Sequence, residues 1–268
     1  MSMPTAISTI PTTLTSTLIN QTATPPLLPT VTPYPTISID EAGQLYQSLY
    51  ENNNDCLLPC WWNFEVGKTS LEEVEQFYTM MGAYLYHRGM RDEIILEALF
   101  VNAHIEDGIQ TRHIYRTQNN IIQEIEAQIG RKDNYQLKPL LQTLGQPADV
   151  WLWTIPNSWQ DLHPARLLVY FPEKGVLLSY SILAERKNEN IHLCFNQSGD
   201  ANILLWSPDK SYETIEERAQ SSSELTIEEN MRPIEEISSW HVAKFYETII
   251  NNQSDCLQTP AELWPTPF

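Results

Sequence analysis

The run NNNDCLLPCWWNFEVGKTSLEEVEQF, residues 52–77, gathers residue types that can do chemistry: two cysteines four apart, two adjacent tryptophans, and Gly67-Lys68-Thr69 ahead of a helix. A phosphate loop ending in Gly-Lys-Thr needs a glycine five positions before the Gly-Lys pair, so that its backbone can curl round a phosphate. Trp62 stands there. A glycine turn leading into a helix capped by Thr69 or Ser70 accounts for the three residues instead.

Cys56 and Cys60, joined by His192 and Cys194, offer zinc ligands, but four-coordinate zinc wants tight pairs on rigid knuckles and this set leaves Cys256 over. An even cysteine count favours two disulfides. Four cysteines allow three pairings, which sequence does not settle; the preferred one joins Cys56 to Cys60 and Cys194 to Cys256, because four residues in a turn can bring two Cα atoms to about 6 Å. The two-residue spacing of redox pairs is missing. No metal and no cofactor is expected.

The six histidines, at 87, 104, 113, 163, 192 and 241, make no zinc-peptidase helix, and no serine stands in a nucleophile elbow. Asp40-Glu41 and Glu72-Glu73 fall in first helical turns, where they complement the helix dipole. No catalytic residue is assigned. Aromatic side chains are the better candidates for contact. Trp151 and Trp153 share one face of a strand, Trp159 sits in PNSWQDLHP, and Trp61-Trp62 adjoin a cysteine. Packing between helix and sheet would explain them too. Adjacent Trp61 and Trp62 cannot easily share one buried face, so one of the two is expected at the surface. The candidate binding residues are Trp61, Trp62, Trp153 and Trp159.

Elements must position these groups. Residues 1–38 hold 11 Thr, 7 Pro and 4 Ser, with no charge before Asp40, the composition of a disordered tether. Residues 39–268 then form a single domain carrying the whole net charge of −18. That field repels phosphate backbones and anionic lipid heads, so neither nucleic acid nor a membrane surface is the expected partner. Eight of the acids crowd residues 211–237, read as a solvated helix and loop or an acidic recognition strip. No run reaches the roughly 18 apolar residues of a membrane span. A Thr/Pro tether before a four-cysteine domain usually follows a signal peptide or lipid anchor; that segment, absent here, is expected upstream, and the domain outside the cytoplasm.

Ser38 with Glu41 forms a capping box ahead of an apolar helical face, Ala42, Leu45, Tyr46, Leu49 and Tyr50. Val242, Phe245, Tyr246, Ile249 and Ile250 repeat that spacing, and an offset of 200 aligns Asn52, Asp55 and Cys56 with Asn252, Asp255 and Cys256. The two bracketing helices are therefore expected side by side. Between them lie a helix at 70–81, an ambiguous segment at 94–105, a hairpin of 112–117 and 120–129 turning at QNN, a helix at 136–144, and strands at 149–155, 166–171 and 175–184. A further hairpin is read over NQSGD, joining 191–195 to 201–206. The fold class is α+β, an antiparallel sheet covered by helices. Repeat-like halves fall at about 65–130 and 136–187, with a C-terminal helical segment from about 211 to 268.

Cys56, Pro59-Cys60-Trp61-Trp62, Gly67, Thr69 and Glu73, with CLQTPAELWP at the end, resemble a family of uncharacterised bacterial secreted proteins and lipoproteins. Its paired tryptophans are usually followed by Gly and Ile, with Pro before the glycine; Asn63, Phe64 and Val66 depart from that in a turn. VGKTSLEEVEQFYTMMG and LKPLLQTLGQPADVWLW, each followed by strands, are similar to the repeats of the β-lactamase-inhibitor-like fold shared with small outer-membrane-assembly lipoproteins. The likeness implies helices laid over an antiparallel sheet and binding to other proteins. The functional expectation is a non-enzymatic, tethered domain that binds a protein or cell-envelope component. The alternative is a glycan or cell-wall hydrolase whose carboxylate pair is assembled by folding.

Overall fold

The computed structural model describes residues 36–90, 93–100, 111–155, 162–195, 199–210, 214–220, 230–251, 253 and 256–264. The Thr/Pro tether, apart from its last three residues, lies outside them, as do Trp159 and His104. The chain is α+β, with helices and an eleven-stranded antiparallel sheet.

Helix α1 (Ile39–Asn52) starts at the Ser38–Glu41 capping box and is followed by a short hairpin of β1 (Cys60–Trp61) and β2 (Phe64–Glu65). Helix α2 (Leu71–Met80) begins at a second capping box, Ser70 with Glu73. Gly-Lys-Thr is the turn before it: Gly67 has φ 81° and donates to Ile122 O at 2.6 Å, and Lys68 N donates to Glu65 O.

Four strands follow as a meander, β3 (Tyr84–Met90), β4 (Glu93–Phe100), β5 (Thr111–Gln118) and β6 (Ile121–Gly130). Residues 94–100, ambiguous by periodicity, are strand because their alternation buries Leu96, Ala98 and Phe100 on one face. The β5–β6 hairpin turns at Asn119-Asn120, both left-handed at φ 53° and 65°, as a two-residue loop of that twist requires.

Helix α3 (Leu137–Leu144) leads to a second meander, β7 (Asp149–Thr154), β8 (Leu162–Phe171) and β9 (Val176–Lys187). Gly175, at φ 63°, closes the turn between the last two, and a Cβ there would strike Trp206 O. Next come β10 (Asn190–Leu193) and β11 (Ala201–Trp206). They do not form the hairpin expected over NQSGD. Both lie along β9, β10 against residues 184–187 and β11 against 176–180, and β11 also pairs with β6. Strand β11 is thus the seam joining the two meanders.

The chain ends with α4 (Ile215–Gln220), β12 (Arg232–Pro233), α5 (Ile234–Ile237), α6 (Val242–Ile250) and β13 (Leu257–Pro260), the last paired with β10. The acidic stretch is thus divided between α4 and α5, and residues 221–229 lie outside the described ones. Helix α6 packs chiefly on α3 rather than beside α1. The main core lies between one sheet face and the helices, with Tyr46, Val74, Leu141 and Phe245 meeting Leu96, Ile125, Leu167 and Leu178. A smaller cluster on the opposite face sets Ile215 of α4 over Leu168, Leu177, Leu204 and Trp206.

A candidate binding groove on the open face of the sheet

Register assigns the side chains of the face away from the main core. Trp153 lies opposite Arg166, Arg166 opposite Ser181, Pro164 opposite Leu183, and Leu162 and His192 each opposite Glu185. Paired residues share a face of an antiparallel sheet, so these project together. With Arg131, Cys194 and Asp200 from neighbouring segments they line a groove of about 830 Å³.

Its floor is apolar and open. Leu162 and Leu183 are 53% and 57% exposed on strands that bury their alternate residues. Water is left against aliphatic surface on a rigid sheet, which favours a ligand that displaces it. The rim is charged: Arg131 faces Asp200 at 3.8 Å, and Lys187 bonds Glu185 at 2.7 Å. Gly199 approaches Ser181 so closely that a Cβ would meet its carbonyl oxygen, and Ser181 N donates to Asp200 O at 3.0 Å. That contact brings the Asp200 rim against β9.

The disulfides are Cys56–Cys60 and Cys194–Cys256, with Cα atoms 5.7 and 4.4 Å apart. The second lines the groove through Cys194 and ties the segment before β13 to β10. With Cys194 bridged, the His192–Cys194 pair has no thiolate to offer a metal.

Of the four tryptophans proposed for contact, Trp153 lines the groove and Trp159 lies outside the described residues. Trp61 and Trp62 correct the expectation: they are 0% and 2% exposed, stacked at 5.5 Å and 17°. Alternation forbids this only in a continuous strand. Here Trp62 and Asn63 are the left-handed corner of the β1–β2 hairpin, at φ 53° and 69°, so both rings turn to the same side. They surround His113 on β5, whose ring lies 5.4 Å from Trp61 and 4.6 Å from Trp62.

His113 is fully buried between two hydroxyls, Tyr50 Oη at 2.8 Å from Nε2 and Tyr78 Oη at 2.6 Å from Nδ1; Tyr78 also bonds Tyr115 Oη at 2.5 Å. Burial pushes its pKa down to about 3. The imidazole is neutral, donating through one nitrogen and accepting at the other. This network fastens α1, α2 and the double-tryptophan hairpin to the sheet, in closed core rather than beside the groove.

Comparison with protein-family models, with curated proteins and with solved structures finds no match.

Residue spacing does not mark most of that groove. Leu162, Leu183, Glu185 and Asp200 are unremarkable until register sets β8, β9 and β10 side by side. A local signal exists: in GVLLSYSILAER the continuous apolar run gives way to serines at 179 and 181, and burial along β9 begins to alternate at Ser181, where one sheet face loses its cover.

Proposed function

We propose that this chain is a non-enzymatic, extracytoplasmic domain that binds a protein or cell-envelope component in the groove beside Trp153. The observation carrying the reading is the pair Leu162 and Leu183, aliphatic side chains held open to water on a rigid sheet. Two disulfides, the acidic charge and the Thr/Pro-rich leading segment support a place outside the cytoplasm. The resemblance of residues 65–186 to protein-binding repeats supports a protein partner. Trp153 supplies a large, stiff contact surface, the kind that dominates binding energy at interfaces.

A photo-crosslinking residue at Leu162, with exposed Ile39 as control, tests it on intact cells. An adduct formed from position 162 and not from 39 supports the groove; equal labelling counts against it. The hydrolase alternative has its own material, since Glu185 and Asp200 both line the groove beside Trp153. It requires release of sugar from cell-wall glycan that Glu185→Gln or Asp200→Asn abolishes.

A further inference from the structure

The sheet ends at β3, whose outer edge pairs with no strand among the described residues. Seven residues long and free of proline, it presents the unpaired backbone N–H and C=O groups that template another strand. Its side chains alternate. Leu85 and His87 turn toward α2, where His87 Nε2 lies 2.6 Å from Glu75 Oε1. Tyr84, Tyr86 and Arg88 stand on the other face, opposite Leu99, Glu97 and Ile95 of β4. Tyr84 and Tyr86 are 58% and 50% exposed.

Charge narrows the occupant. Arg88, 66% exposed, donates to Glu97 at 2.9 Å, but that carboxylate also takes Arg112 at 2.7 Å. Among the described residues one contact holds Arg88, and at 66% exposure most of its guanidinium fork points to solvent. In a chain of net charge −18, residues 84–90 contain no acid. A strand laid on this edge would set one residue opposite Arg88 and the residues two and four further on opposite Tyr86 and Tyr84.

We propose that β3 accepts an extended segment of another protein as an added antiparallel strand, with a carboxylate opposite Arg88 and apolar side chains opposite Tyr86 and Tyr84. Backbone bonding supplies affinity, and the acid–x–apolar–x–apolar pattern supplies register. A second copy is the poorer occupant, because two chains of this charge repel. The site lies on the outermost strand of the first meander, away from the groove strands β7 to β10, and stands independently of the function assigned to the groove.

The test is fluorescence anisotropy of the full chain with a labelled synthetic peptide carrying glutamate, then valine two and four positions on, in a threonine background. Saturable binding is expected. Methylating the edge-facing amide nitrogens of the peptide, which leaves the protein untouched, should weaken it at least about tenfold. Changing glutamate to lysine should do the same, and Arg88→Glu should restore the lysine peptide. Failure to bind at the peptide's solubility limit, indifference to N-methylation, or a concentration-dependent doubling of mass lost in Tyr86→Pro would overturn the proposal.

Discussion

Asn53 Oδ1 accepts the backbone N–H of Trp62 at 2.9 Å, while the Asn53 amide donates to the carbonyls of Cys56 and Cys60 at 2.6 and 3.0 Å. One residue therefore ends α1 through its backbone, whose N–H bonds Leu49 O, and through its side chain closes the disulfide turn and sets the corner that buries both tryptophans. Asn53 itself is left-handed at φ 52°, as are Asn54 and Asp55. Asn53→Ala loses three bonds and adds backbone strain, so it should destabilise by about 3 kcal/mol in urea denaturation. A change within experimental error would show that the corner forms without the clamp.

His113 gives the domain an acid limit. An unfolded histidine titrates near 6.5, whereas the buried one titrates at about 3. The folded pKa is depressed, so the stability it contributes is full above pH 6.5 and falls as pH drops toward 3. Each unit in that window costs about 1.4 kcal/mol. His113→Gln should flatten the slope of stability against pH between 6 and 4, and an unchanged slope would refute a neutral, buried imidazole.

The two bridges should differ in worth. Cys194–Cys256 spans 62 residues and Cys56–Cys60 only 4. Chain-entropy arguments then give roughly 4 kcal/mol for the first and about 2 kcal/mol for the second. Thermal melts of the two double-serine variants check this, with the long bridge expected to matter more. Free thiols in the denatured, unreduced protein would contradict both.

Trp62 and Trp153 should separate folding from binding. Trp62→Ala empties space against Tyr50, Tyr78 and His113 and should cost about 3 to 5 kcal/mol. Trp153→Ala, on the groove wall, should change stability much less and lose the crosslink at Leu162. The reverse pattern would move the site back to the double-tryptophan motif.

What the sequence disclosed follows from local physics. The capping boxes, the Asn119-Asn120 turn and the Gly175 turn depend on a few adjacent residues and are legible from them. The seam made by β11 is not, because nothing in ANILLW says that β9 and β6 will flank it. The tryptophan pair departs from expectation for a related reason: strand alternation does not hold at a corner whose conformation Asn53 sets from nine residues away. The candidate groove is legible as a contact site only at Trp153, since His192 and Cys194 stand out for a metal and a bridge and the aliphatic floor depends on which sheet face the helices leave uncovered.

Saturation binding of the full chain to isolated cell envelopes, wild type beside Leu183→Asp, tests the central claim most directly. The groove reading predicts saturable binding by the wild type and a loss of at least about tenfold in the variant, with its melting temperature unchanged because Leu183 is already in water. Equal binding by the two proteins, or none by the wild type, would contradict it.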